Sequence, residues 1–390
     1  MARGFLMKVP PALVLFFLSP AIAELLLGSS PPSEFFSPFS LLLLCSLYGS
    51  GALIVRELKI RWNKGFVSMF VLGAAYGIIE EGLMVKSFFD PGWMDIGVLG
   101  VYGRWLGVNW VWAEWLTIYH AIFSIAIPIT LVELAYPEIK GNSWLSARKF
   151  LGVTILFGAV VIFGFFFLTA YRPPLPQYLS SAVIMSALTF LAWKIPLETG
   201  KNGRLKPWGP RRLLLLGFLT ATALFLLFMA GPYIISQPIV LMATGCALVL
   251  AIFGLIKRFD WNERTLYHKF SMVAGALAFL IMLAPLQELD RSRPDDTRGM
   301  LIVGIIALLM LFCLRKRLRA YITSEEASLV QDMDAVKAWQ LQSLVPCDLA
   351  YLVESPSVPL RRRQFLSRTG HKLLPMNPRG QTVQDQVIAL

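Results

Sequence analysis

Charge is scarce in this sequence. Asp, Glu, Lys and Arg make up 15% of its 390 residues, against about 25% in soluble chains. The apolar residues stand in long runs between short charged loops, which excludes an ordinary soluble domain. Histidine is scarcer still, with three copies. Cysteine occurs at Cys45, Cys246, Cys313 and Cys347 and never as a CxxC pair. Neither a disulfide framework nor a zinc site is therefore indicated. The formal charge of +12 does not point to nucleic acid. Most Lys and Arg lie between apolar runs or in the tail, where such residues set membrane orientation.

What is present reads as an all-α, polytopic integral membrane helix bundle of about ten transmembrane helices. The spans fall near 9–28, 38–55, 66–86, 107–136, 150–170, 179–195, 213–231, 235–256, 270–287 and 300–314. The last is short for a bilayer that needs about 20 residues. The transmembrane domain covers 1–314, with a polar part at 1–136 and an apolar scaffold at 150–314. A cytoplasmic tail covers 315–390. With both termini cytoplasmic, thirty of the thirty-six Lys and Arg residues fall on the inner side, as the positive-inside rule requires of a cell-membrane protein. The first run, ending in AIA before Glu24, also resembles a signal peptide. Pro10, Pro11 and Pro20 interrupt it, and the loop count favours a retained helix. The two halves have opposite topology but share no matching residues, so an inverted repeat finds no support.

The tail opens with RKRLR, whose Arg315, Lys316, Arg317 and Arg319 suit anionic lipid headgroups as partners. Thr323 to Glu326, TSEE, forms a capping-box pattern for a short helix over about 323–344. Beyond Pro346 the composition suits a mobile extension. RRRQFL at 361–366 resembles a twin-arginine signal but is far from an N-terminus and reads as a basic segment.

The chemistry concentrates in the first third. Spans five to ten carry no Asp, Glu, Lys, Arg or His in their interiors, whereas the first four carry Glu24, Glu80, Glu81, Glu114, His120 and Glu133. Such residues in a bilayer mark a pathway, a pocket or a proton relay. At 1.5 Å rise per residue, Glu80, Glu81 and Glu114 lie roughly 8–9 Å, and Glu24 about 6 Å, below one membrane surface. His120 lies about 9 Å deeper, level with Tyr76. This predicts one acidic cavity, open to the outer face, with Glu80, Glu81 and His120 as candidate catalytic residues. Glu114, Glu24, Tyr76, Thr117 and Trp110 are candidate substrate-binding residues. Two neighbouring acids cannot both stay ionised in low dielectric without a cation, and Lys86 and Arg104 are the nearest in sequence. Consecutive helical residues point about 100° apart, so one acid is expected to face the cavity and the other a neighbouring helix. Glu133 is expected at the interface.

Residues 87 to 115 hold Trp93, Trp105, Trp110, Trp112 and Trp115; an interfacial aromatic belt accounts for most of these rings. The loop KSFFDPGWMDIGVLGVYGRWLGVNW suits a re-entrant or lid-like segment. YGSG at 48–51 and GAAYG at 73–77 permit close helix approach.

The EE pair followed by a histidine some forty residues later, over about 76–124, is similar to the CAAX-protease and bacteriocin-processing family. That resemblance implies an intramembrane site in which Glu80, Glu81 and His120 activate water or bind a metal. The chain departs from the pattern. Lys86 stands one position beyond the expected basic residue, Leu116 replaces an aromatic, and no later span carries a second histidine. His268 falls at a span's end and His371 in the tail.

Three functions fit these residues: binding or transport of a cation, proton or small polar solute; an intramembrane hydrolase using the glutamate pair and His120; and a non-catalytic membrane component that recruits a partner through its tail. No cofactor is indicated by the sequence, and whether the acids hold a metal is left open.

Overall fold

The computed structural model describes residues 9–196, 205–261, 265–291 and 293–343. Ten helices carry these residues: α1 (Pro11–Leu26), α2 (Pro38–Arg61), α3 (Phe66–Met84), α4 (Trp110–Ala135), α5 (Ala147–Phe167), α6 (Leu175–Lys194), α7 (Pro210–Met229), α8 (Pro238–Arg258), α9 (Leu266–Leu289) and α10 (Met300–Ser343). Their ends follow local chemistry. Pro11, Pro38, Pro210 and Pro238 open helices where a missing N–H costs nothing. The Ser37 and Ser146 side chains accept from backbone N–H groups three residues on. Lys257 and Arg258 close α8, complementing its C-terminal dipole.

Eight helices, α2 to α9, are long and apolar enough to cross a membrane. α1 is shorter, and the apolar stretch of α10 meets Arg315 after about one leaflet and a half of rise. The expectation of ten spans is therefore met by eight on length and composition. Burial explains what surrounds them. In α4, 78% of the apolar window is buried in the protein, but in α5 the share is 6% and in α6 and α8 it is 11%. Leu151, Ile155, Ile162 and Phe166 of α5 are all exposed. So much bare apolar surface is untenable in water and natural in lipid.

Two apolar cores meet at α4. One gathers α1, α2, α3 and the lower half of α4 around Leu47, Leu72, Ile125 and Ile129; the other joins α4 to α7 and α9 around Trp115, Leu224, Phe228 and Leu277. Between α3 and α4 the chain forms a lid-like loop. It contains a hairpin of β1 (Arg104–Trp105) and β2 (Val108–Asn109), with Arg104 opposite Asn109. Leu106 and Gly107 at its tip both have positive φ, as a two-residue type I′ turn demands.

The chain divides into two compact units, Met1–Glu325 and Glu326–Leu390. In the second, the described residues 326–343 are helical. The capping-box reading of Thr323–Glu326 needs correction, because α10 runs through it without a break. Inside a helix the backbone N–H groups are already bonded one turn back, so the motif has nothing to cap. Residues from 344 onward, including RRRQFL, lie outside the described residues.

α7 and α9 form the most extensive helix pair. Gly217 of α7 lies against the Met272 carbonyl and Gly275 of α9 against the Leu214 carbonyl, with no room for a Cβ on either side. Gly254 of α8 faces open space. Gly275→Val should therefore destabilise the protein by about 1–3 kcal/mol in thermal unfolding in detergent, while Gly254→Ala should leave stability unchanged.

Candidate functional site

Four helices depart from α geometry at the same level. The π-helical turns are Ala21–Leu26 in α1, Cys45–Gly49 in α2, Ile79–Met84 in α3 and His120–Ala126 in α4. They carry Glu24, Tyr48, Glu80 with Glu81, and His120 respectively. Such widened turns are rare and concentrate at functional sites. Small residues bring them together. A Cβ on Gly77 would lie 3.0 Å from the His120 Cβ and 3.3 Å from the Thr117 Cα; one on Gly73 would lie 2.9 Å from the Ala121 Cα. Gly51 gives the same clearance to the Tyr76 ring. The GAAYG and YGSG stretches are thus packing motifs, and what they position is the imidazole.

His120 is clamped between the two acids. Its Nε2 lies 3.1 Å from Glu81 Oε1, and its Nδ1 lies 3.3 Å from Glu80 Oε2 and 2.9 Å from Ser124 Oγ. All three residues are buried: Glu80 is 5% exposed, Glu81 8% and His120 2%. One ligating atom from each lies within 4.8 Å of the others. Glu81 Oε2 accepts from the Ser87 hydroxyl, which itself accepts from Trp112 Nε1 at 3.0 Å. Glu24 accepts from Tyr48 through one oxygen and from Ser29 and Ser30 through the other. The Tyr48, Tyr76 and Tyr119 rings enclose the imidazole at centroid distances of 6.0, 6.0 and 5.5 Å. Tyr119 also donates to the Ala23 carbonyl at 2.6 Å. Two polar tracks, Glu81–Ser87 and Tyr48–Glu24–Ser29, lead from the cluster to the same end of the bundle. On its other side the imidazole bonds Ser124, whose carbonyl accepts from Ser19 at 2.7 Å.

Several expectations change. Both acids of the pair reach the histidine, because a π turn rotates less per residue than an α turn and the imidazole offers a nitrogen to each. Glu114 does not join them. It lies six residues from His120, on another face of α4, where its Oε1 accepts from Cys246 Sγ of α8 at 3.2 Å. Trp110 is 37% exposed and donates to the Trp105 carbonyl. Thr117 is half-buried beside Gly77. Where an opening to the outer face was expected, the three residues are buried and Ser87, at the start of the loop, bonds Glu81. Neither nearby cation neutralises an acid. Arg104 binds Asn109 and the Phe89 carbonyl, while Lys86 donates to the Phe165 carbonyl at 2.7 Å.

A second buried polar system lies at the opposite end of the bundle. Arg56 and Glu57 are both fully buried and paired at 2.9 Å. Arg56 stacks on Trp144 at 3.5 Å and donates to the Lys140 carbonyl. Glu57 also accepts from Arg61, Ser143 and the Trp144 N–H. Glu133, expected at the interface, pairs with Lys59 at 2.9 Å. Arg56 and Glu57 lie just beyond the expected end of the second span at 55, yet the helix continues through them to Arg61. The signal available was the continuing helical pattern IVRELKIR. At the base of α10, Arg315 and Arg319 donate to the Tyr267 hydroxyl and Arg317 lies over Tyr136.

Bare apolar helices around a buried acidic core define the class: this is a multi-pass helical membrane protein. Residues 13–203 match the model of a family described as an uncharacterized membrane protein family, a segment that contains the whole cluster. No curated protein and no solved structure matches the chain.

Lys86 provides a pH test of the loop's anchoring. It lies two residues beyond α3, in the loop, with a φ of 63°, and burial, reinforced by Arg172 and opposed by Asp90, pushes its ammonium down to about 8 from 10.5. A lowered folded pKa means that stability should rise as pH climbs from about 8 towards 10.5. Lys86→Met should abolish that rise in detergent unfolding curves. At the other end, Arg56→Ala removes the fully buried partner of Glu57 and leaves it only the part-exposed Arg61 as a cation, and chemical unfolding should report a loss of up to about 3–5 kcal/mol.

Proposed function

We propose that the chain binds a divalent metal ion inside the membrane at Glu80, Glu81 and His120, in exchange for protons. The observation that carries this reading is a charge imbalance. Three carboxylates, Glu24, Glu80 and Glu81, stand around one imidazole, and among the described residues no Lys or Arg touches them. A buried anionic cluster must take up protons or a cation. At its centre Glu80 Oε2 has only the 3.3 Å approach of His120 Nδ1, and neither it nor Tyr76 Oη makes a well-formed hydrogen bond, so both have lone pairs to offer a ligand. Two carboxylates and one imidazole are donors suited to Mn²⁺, Fe²⁺ or Zn²⁺. The Ser124 hydroxyl on Nδ1 would orient the ring as an outer partner.

A second reading, intramembrane hydrolysis, draws support from the 3.1 Å contact between Glu81 and His120, a distance suited to a general base and its partner. The resemblance over about 76–124 points the same way. Transport is the third, and it requires a path past the Arg56 end.

Titration of purified protein with Mn²⁺ or Zn²⁺ tests the first reading. Binding should release protons and weaken as pH falls, because the ligands must be deprotonated. Glu81→Gln and His120→Ala should abolish it, and Ser124→Ala should weaken it roughly tenfold. Equal metal binding by wild type and the Glu81→Gln/His120→Ala double variant would sink the proposal. Peptide or ester cleavage by protein with no bound metal, lost in Glu81→Gln, would favour the hydrolase.

A further inference from the structure

The hairpin between α3 and α4 has an unusual tip. A two-residue type I′ turn favours Asn-Gly or Asp-Gly, because both positions need positive φ. Here the first position is Leu106, at a φ of 50°, followed by Gly107 at 76°. A leucine in the left-handed region is sterically disfavoured, and this one gains no burial within the protein in return. Leu106 is 65% exposed and its neighbour Trp105 67%. The charged side chain of the hairpin, Arg104, is tied back to Asn109 and the Phe89 carbonyl, so the tip itself is wholly apolar.

Two contacts set the level of this tip. The Leu106 carbonyl accepts from Gln177 Nε2 at 3.1 Å, and Gln177 is the third residue of α6. The 20 residues of α6 rise about 30 Å, the thickness of a bilayer's hydrocarbon layer. The tip is therefore held roughly 3 Å inside the end of that span. Leu175, Leu179 and Val183 on the same helix are exposed. On the other side of the loop, Tyr102 donates to the Ile235 carbonyl at 2.7 Å, in the turn between α7 and α8, where Ile234 is 80% exposed. The bare tip is thus continuous with apolar surface that lipid covers.

We infer that the hairpin tip is inserted into the membrane, with Leu106 among the acyl chains and the Trp105 ring at headgroup level. The loop from α3 to α4 is then anchored to lipid as well as to the bundle. A ring at the interface is ordinary for a membrane protein. An exposed leucine held at positive φ is not, and water offers it no compensation. A protein partner seated on the tip would have to displace lipid from the start of α6. Asn109, at the base of the same hairpin, donates to the Ser87 carbonyl at 3.2 Å, so the lipid contact and the tie to α3 belong to one short element.

Fluorescence quenching on the full chain in phosphatidylcholine vesicles tests the assignment. Cys246, Cys313 and Cys347 are replaced by Ser, and Cys45 is buried. A bimane label is then attached at Leu106→Cys and, for comparison, at Arg298→Cys, whose side chain is 91% exposed. Lipid brominated near the top of its acyl chains should quench the Leu106→Cys label several-fold more than aqueous iodide does. The Arg298→Cys label should show the reverse order. Trp105→Cys, at a residue of ordinary φ, repeats the measurement if Leu106→Cys does not fold, with the same order expected. Adding Leu106→Asn, which suits the turn but not lipid, should make the Trp105→Cys label several-fold more accessible to iodide. Iodide quenching at the tip as strong as at Arg298→Cys would overturn the assignment. So would shielding from both quenchers, as a second copy seated on the tip would give, or a Trp105→Cys label indifferent to Leu106→Asn.

Discussion

The contact between one imidazole and two adjacent carboxylates organises the membrane-embedded core. Consecutive residues of a regular α-helix diverge too far to meet one small side chain. Glu80 and Glu81 both reach His120 because α3 widens into a π turn there and α4 widens opposite it. The cost of those wider turns is lost helical hydrogen-bond geometry, and it is borne at the same depth in α1 and α2. Glycines at 51, 73 and 77 then let the distorted segments approach closely. Irregular backbone inside a bilayer is tolerated only where protein surrounds it, which is why the most buried helix, α4, lies at the centre.

The loop between α3 and α4 completes this arrangement. Asn109 donates to the carbonyls of Ser87 and Asp90 and accepts from Arg104, so the hairpin is tied to the end of α3. Ser87, held in that knot, bonds Glu81. The loop's fold and the orientation of one acid are therefore coupled through a single hydroxyl.

Much of this was legible in the sequence. Long apolar runs gave the bundle, and helical rise alone put the acids at one depth and Tyr76 with His120 on a deeper level, about 9 Å below Glu114. Rise says nothing about azimuth, and that is why Glu114 was grouped with the cluster although it faces Cys246. The π turns leave no mark in hydropathy, so the convergence of both acids on one ring was not foreseen. Arg56 and Glu57 were misplaced for a different reason. Counting Lys and Arg treats every charge as a loop residue, yet a charge satisfied by a partner, a carbonyl and an indole ring can sit within a helix, fully covered. The unbroken course of α10 was likewise hidden, because a capping box inside a helix has the same letters as one at its start.

The Arg56 lattice has a consequence for traffic through the bundle. Between it and Ser124 lie Ile125, Ile129 and Val132, packed without any gap to solvent. Among the described residues the contacts of the imidazole run through Glu81 and Ser87 to the end of α3 that the hairpin ties down, and not to Arg56. An occupant bound there as proposed would meet the hairpin, and not the Arg56 lattice, at the nearer end of the bundle.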